Sequence, residues 1–193
     1  MKVFFTGSPR ALKDPIFKAE HEAIYNAIEN AGAVNLSSLV ITANPDDFYK
    51  ADQEKILKHY NNTIDNVKRA DIVVAETTLH SMSMGYLVEK ALTMNKPVIV
   101  VHRKGAPPFF FSGIDDDRLQ IIEYTLETAD SMMAKALEYA INQQEVRFNF
   151  FISPNIGRYL DWISKVKKIP RSVYLRALIE RDMKENTEFE DSN

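Results

Sequence analysis

The chain has 193 residues, 45% hydrophobic and 26% charged, a composition that fits one folded domain with room for a small appendage and argues against disorder along its length. A formal net charge of −3 gives no bulk attraction for nucleic acid, and the lack of cysteine excludes disulfides, thiol nucleophiles and Cys-ligated zinc. The four histidines have no metal-like spacing, and no run approaches the roughly 18 apolar residues that span a bilayer.

Lys2–Thr6 is a short apolar run ending at Gly7-Ser8, and it reads as a first strand rather than a signal peptide. A cytoplasmic, membrane-free protein is expected. A helix follows from Asp14-Pro15, with Ala23, Ile24, Ala27, Ile28 and Ala31 as its apolar stripe and Gly32 at its end. Residues 34–41 read as a second strand, and a long polar helix runs from Pro45 to about Arg69. Residues 71–76 and 97–102 read as buried strands around a helix over 82–95, and 104–117 as a loop. A last strand is expected over 119–124 and a helix over 128–143.

Val/Ile runs separated by amphipathic helices imply an α/β fold, a five-stranded parallel sheet covered on both faces. Ligands of such sheets sit beyond the carboxyl ends of the strands. The loops 7–13, 77–85 and 103–113 are therefore the functional candidates. The apolar stretch from Pro107 to Phe111 is expected to be buried, by a ligand or a partner chain, because three exposed phenylalanines would be a liability.

After residue 144 the period changes. Residues 146–153 alternate as a strand, VRFNFFIS, followed by a helix to about Ile169, a break at Pro170, and a second helix to about Lys184. Between 146 and 184 there are nine Lys/Arg against three Asp/Glu. A unit of about 40 residues barely supports a core alone, so pairing of two strands in a homodimer or higher oligomer is expected. Phe148, Phe150 and Ile152 would then face inward, and Arg147, Asn149 and Phe151 outward. Arg and Asn read guanine and adenine edges in a major groove, and the helix start at Arg171-Ser172 suits a DNA phosphate. The pattern RFNFFISP, a helix, then IPRSVYLRALIERDM resembles the ribbon-helix-helix family of Arc/MetJ-type DNA-binding proteins. That resemblance implies a dimer that docks its ribbon in the major groove; Phe151 departs from the usual polar outward residue. Dimerisation without DNA, and plain packing onto the first domain, remain alternatives. The expected organisation is 1–144, 145–187 and a frayed acidic tail 188–193.

Three segments of the first domain carry a second resemblance: FFTGSPR (4–10), ADIVVAETTLHSMSMGYLVEKA (70–91) and KPVIVVHR (96–103). Together they resemble the nucleoside 2-deoxyribosyltransferase superfamily, nearest its 2′-deoxynucleoside 5′-phosphate N-hydrolases. The resemblance implies a doubly wound, flavodoxin-like fold. It also implies a nucleotide- or phosphate-binding loop at Gly7, Ser8 and Arg10, and a second loop at Ser81 and Gly85. The alternative for Ser81 is a simple helix cap. Glu76, at a strand's carboxyl end, is a candidate for a ribose hydroxyl, and Asp71 stands at a family-like position; each could equally be structural.

The family's nucleophile is a glutamate directly after the Gly-Tyr pair, where this chain has Leu87. Its supporting aspartate falls near Thr63, close to Asp65; its strand tyrosine is Phe4; a serine lent by a neighbouring subunit falls near Pro108. The favoured expectation is a non-catalytic ligand-binding protein with a DNA-binding tail, a ligand-responsive regulator needing no cofactor. The alternative is an N-glycosidase or deoxyribosyltransferase using a displaced carboxylate, Glu89 or Glu76, with the tail serving assembly only. A third is a non-catalytic protein whose ribbon grips another protein.

Overall fold

The structure, a computed structural model, describes residues 1–79, 81–142 and 150–186. It divides into two compact units, Met1–Glu145 and Val146–Asn193. In the first, β1 (Lys2–Thr6) leads through a 3₁₀ turn (Pro9–Lys13) into α1 (Pro15–Asn30). The Asp14 carboxylate accepts the Ile16 N–H at 2.8 Å, and Pro15 fills a first-turn position that needs no N–H. Gly32, at a φ of +80°, turns the chain out of α1. The unit continues as β2 (Val34–Asn35), α2 (Leu39–Thr42), α3 (Pro45–Phe48), α4 (Gln53–Arg69), β3 (Ile72–Glu76) and α5 (Met82–Thr93). It ends as β4 (Val98–Arg103), a 3₁₀ turn (Phe111–Gly113), β5 (Leu119–Tyr124) and α6 (Ala129–Asn142).

The sheet has five parallel strands in the order β2-β1-β3-β4-β5. Alternate strand residues face opposite layers. Val3, Phe5, Ile72, Val74, Ile99 and Val101 pack with α1 and α6. Phe4, Val73, Ala75, Val98 and Val100 pack with α4 and α5. This is the doubly wound arrangement, and its strand order reverses between β1 and β3, where a ligand crevice opens in such sheets.

Three local expectations need correction. The second strand keeps only Val34–Asn35, paired with Lys2 and Val3. Ser37 Oγ accepts the Leu39 N–H and the Thr42 hydroxyl donates to Ser38 O, so the serine pair turns the segment into α2. The long polar helix is two helices, because Asp52 starts α4 afresh by accepting the Lys55 N–H at 2.9 Å. The three phenylalanines part company: Phe111 is buried, while Phe109 and Phe110 are 90% and 87% exposed.

In the second unit, Ser153 caps α7 (Pro154–Lys167), and Lys168, at a φ of +53°, ends it before α8 (Arg171–Glu185). Tyr159 and Tyr174 join the helices through their hydroxyls at 3.0 Å. Leu160 and Ile163 are buried, and α8 buries no residue. Residues 150–153 form no strand in the single chain, and the inward-facing Phe150 and Ile152 of the sequence reading are exposed. A strand needs a partner edge for its backbone groups. Residues 146–149 of the expected ribbon, with Arg147 and Asn149, lie outside the described residues, as does the tail from 187. Among the described residues, no helix is long and apolar enough to cross a membrane.

Candidate functional site

Glu76 ends β3 on the same face as Ile72 and Val74, under α1, and its side chain is wholly buried. Its Oε1 accepts the Thr78 N–H at 3.1 Å, the Thr78 hydroxyl, and the Tyr124 hydroxyl at 3.2 Å. Thr78 Oγ1 in turn accepts the Arg103 N–H at 2.8 Å. The ends of β3, β4 and β5 are thus tied to one carboxylate oxygen. Burial and the carboxylates of Glu76 and Glu20 push the Tyr124 hydroxyl well above the usual phenol range, so it stays a donor.

The other oxygen, Oε2, has no hydrogen bond and faces His21 Nε2 at 3.8 Å. His21 comes from α1 and is wholly buried; its Nδ1 donates to Phe17 O at 2.8 Å. Nε2 has no partner either, nor does Ser8 Oγ in the loop after β1. Gly7 lies against this ring: a Cβ there would stand 2.6 Å from His21 Nε2. Ser8, His21 and Glu76 thus leave buried polar atoms unpaired where β1 and β3 part.

Beside them, Arg103 grips Glu20 of α1 with Nε at 2.9 Å from Oε1 and Nη2 at 2.7 Å from Oε2, and stacks 4.0 Å over the Phe17 ring. That hydrogen bonding raises the Arg103 pKa further, so the guanidinium stays charged. Across the crevice, Lys13 bonds Asp46 at 2.5 Å and holds the turn after β1 against α3. There Leu39, Ala43, Phe48 and Ile56 line an apolar cleft of about 440 Å³. His59 stacks edge-on against Phe48, and burial lowers its pKa.

The other sequence candidates distribute as follows. Arg10 is exposed in the turn after β1. Ser81 is the cap of α5, accepting the Met84 N–H at 3.3 Å, and a Cβ at Gly85 would meet nothing within 4 Å. Leu87 packs in the apolar layer with Met84, Val88 and Ala91. Glu89 points to solvent and accepts the Thr93 hydroxyl at 3.3 Å. Asp65 is exposed and pairs with Lys68 at 3.3 Å. Asp71 lies at the opposite, amino edge of the sheet, where its carboxylate accepts the Lys2 N–H at 2.7 Å. In the second unit Phe151 is fully exposed, Arg171 is ion-paired with Asp161, and Ser172 is exposed in the first turn of α8, whose cap position is Pro170.

The sequence reading missed His21, Glu20, Arg103 and Tyr124. The signal was present, because Glu20 and His21 fall four and three residues before Ile24, on the buried stripe of α1. A Glu and a His on an apolar stripe imply something polar beneath it.

Among the described residues, no cluster of three or more His, Asp or Glu is placed to hold a metal. No family model matches the chain. A 5-hydroxymethyl-dUMP N-hydrolase of Mus musculus is 28% identical over 81 residues, which are 40% of this chain and 47% of that protein. The chain thus spans about half the length of that relative. The solved structure of the Clostridium botulinum CMP N-glycosidase BcmB is 16% identical, covering 72% of this chain and 99% of that one, with a TM-score of 0.46. Over those 81 residues the chain is similar to a nucleotide N-hydrolase.

Proposed function

We propose that the α/β unit is a nucleoside 5′-monophosphate site of the N-hydrolase type, at the carboxyl edge where β1 and β3 part. The observation that carries this reading is the set of unpaired buried atoms there: Ser8 Oγ, His21 Nε2 and Glu76 Oε2. Leaving such groups unsatisfied costs about 1–3 kcal/mol each, and polar groups kept so at a sheet's switch point mark a site. The similarity to the mouse hydrolase supports the same substrate class.

In this reading the phosphate engages Gly7, Ser8 and Arg10 with the N-terminal turn of α5 at Ser81 and Gly85, and the sugar lies over Glu76. Leu87 offers no nucleophile, so water adds at the anomeric carbon and the base departs carrying a proton, with no covalent intermediate on this chain. Glu76 is sealed from solvent. Its carboxyl oxygens lie beneath an oxocarbenium-like sugar, where low dielectric strengthens their electrostatic interaction with it.

A second reading is favoured by Leu87 and by the outward turn of Glu89: a nucleotide receptor that does not cleave. Its output would be the second unit, acting as a homodimer that contacts DNA through Arg147, Asn149, Phe151, Arg171 and Ser172. Free base released from nucleotides supports the first reading. A thermal shift with nucleotide but no base supports the second, with loss of DNA binding in Arg147→Ala as its own test. Neither response, in a folded protein, contradicts both.

A further inference from the structure

We propose that His21 Nε2 and Glu76 Oε2 bind one proton between them, so that His21 is the residue that sets the charge beneath the sugar. The inference deepens the hydrolase reading and rests on it for its effect on rate. Both side chains are wholly buried, the two atoms stand 3.8 Å apart, and neither makes a hydrogen bond. The other polar atoms of the two side chains are already engaged. His21 Nδ1 donates to Phe17 O at 2.8 Å, and Glu76 Oε1 accepts the Thr78 N–H, the Thr78 hydroxyl and the Tyr124 hydroxyl. With a neutral ring and an ionised carboxylate, two acceptors face each other with no donor between them. One proton supplies that donor, on Nε2 with Oε2 accepting or on Oε2 with Nε2 accepting. Either way the couple passes from a net charge of −1 to zero.

The surroundings leave the proton to this pair. Phe5 of β1 lies beside the His21 ring, Val40 of α2 lies by Gly7, and α6 presents Met133 and Leu137; none of these titrates. From β5, burial and the carboxylates of Glu76 and Glu20 push the Tyr124 hydroxyl up, so it remains a donor to Oε1. From β4, Arg103 is engaged by Glu20 of α1 and also feels Asp14. A hydrogen bond needs Nε2 and Oε2 within about 3 Å, so uptake of the proton draws the ring toward β3. Gly7 lies against that ring, so the movement reaches the Gly7-Ser8 loop. Loss of the proton leaves a carboxylate charge beneath the oxocarbenium-like sugar, in a low dielectric where it stabilises most. Base release therefore rises as the couple deprotonates. His21 touches no reacting atom and is a positioning residue acting through Glu76.

The test is NMR of the full-length protein with nitrogen-15-labelled histidine, titrated over about pH 5–8. The His21 ring is assigned by its contact with Phe5, whose ring centre is 6.1 Å away, and by its loss in His21→Gln. The expected spectrum at the alkaline end shows Nδ1 protonated and Nε2 a bare acceptor. As pH falls, the Nε2 resonance moves in one step to a protonated or hydrogen-bonded position. In Glu76→Gln that step moves to lower pH, because the carboxylate that favours the proton is gone. The effect on rate is read as base release by His21→Gln divided by that of wild type, which cancels titration of the substrate phosphate. The glutamine amide donates to Oε2 at every pH and removes the step, so the ratio is expected to rise at least several-fold from the alkaline to the acid end. An Nε2 resonance that does not change, a proton on Nε2 at the alkaline end, a step unmoved in Glu76→Gln, or a constant ratio overturns the proposal. No base from wild type at any pH contradicts the hydrolase reading alone, while the Nε2 step, which needs no nucleotide, supports or overturns the shared proton by itself. If His21→Gln does not fold, wild type and Glu76→Gln carry the test.

Discussion

His21 Nε2 stands 3.8 Å from Glu76 Oε2, both side chains are wholly buried, and neither atom makes a hydrogen bond. His21 Nδ1 donates to Phe17 O, so Nε2 is an acceptor in the neutral ring and a donor only in the imidazolium. Glu76→Gln keeps an oxygen for Thr78 and Tyr124 and turns an amide donor toward Nε2. It is expected to stabilise the fold by about 1 kcal/mol, roughly 2–4 °C in Tm, while weakening the response to nucleotides. A lower Tm would show that the pair is a structural ion pair.

Gly7→Ala places a methyl 2.6 Å from His21 Nε2 and 3.1 Å from Cδ2. The ring is held on its other side by the Phe17 carbonyl and has nowhere to move. A loss of about 1–3 kcal/mol is expected, measured by urea unfolding. Gly85→Ala, which meets nothing, should be stable by comparison.

The sheet was legible in the sequence because each central strand is a continuous Val/Ile run, as in IVVA and VIVV. The helices were legible from their stripes and from Asp14-Pro15 and Ser81. The short edge strand was not, because its fate is decided by a serine hydrogen-bond pattern that apolar periodicity cannot register. Within the candidate site, Gly7 and Ser8 stood out from the family resemblance and the loop after β1, and Glu76 from its place at a strand's carboxyl end. His21 was legible only as a polar residue on the apolar stripe of α1; what it faces depends on α1 lying over β3, a tertiary fact. The opposite fates of Phe109 and Phe111 follow from one 3₁₀ turn that three identical letters do not announce.

Arg103 and Glu20 form a two-pronged ion pair in which the Glu20 side chain is nearly buried. Arg103→Ala strands that carboxylate and removes the cover over Phe17. The Arg103 side chain is about one-third exposed, so the expected cost is about 2–3 kcal/mol, below that of a fully buried pair. Arg103→Lys keeps the charge but loses the fork, and should recover only part of the loss.

Asp116 accepts from Arg118 at 2.9 and 2.6 Å, and this hydrogen bonding holds its carboxyl below the usual range. A carboxyl depressed in the folded state stabilises above its unfolded pKa, and that contribution is lost as pH falls through the folded one. Asp116→Asn should therefore lower stability at neutral pH by about 1 kcal/mol or less. The gap from wild type should close below about pH 4, read from melting curves across pH.

The most direct test of the nucleotide site is base release from a panel of nucleoside and deoxynucleoside 5′-monophosphates, followed by chromatography. Wild type, Ser8→Ala and Glu76→Gln would be run side by side. The account expects free base from wild type with at least one member of the panel, about tenfold less from Ser8→Ala, and none above background from Glu76→Gln. Base released equally by wild type and Glu76→Gln, or by none of the three, would contradict hydrolysis at the β1–β3 crevice.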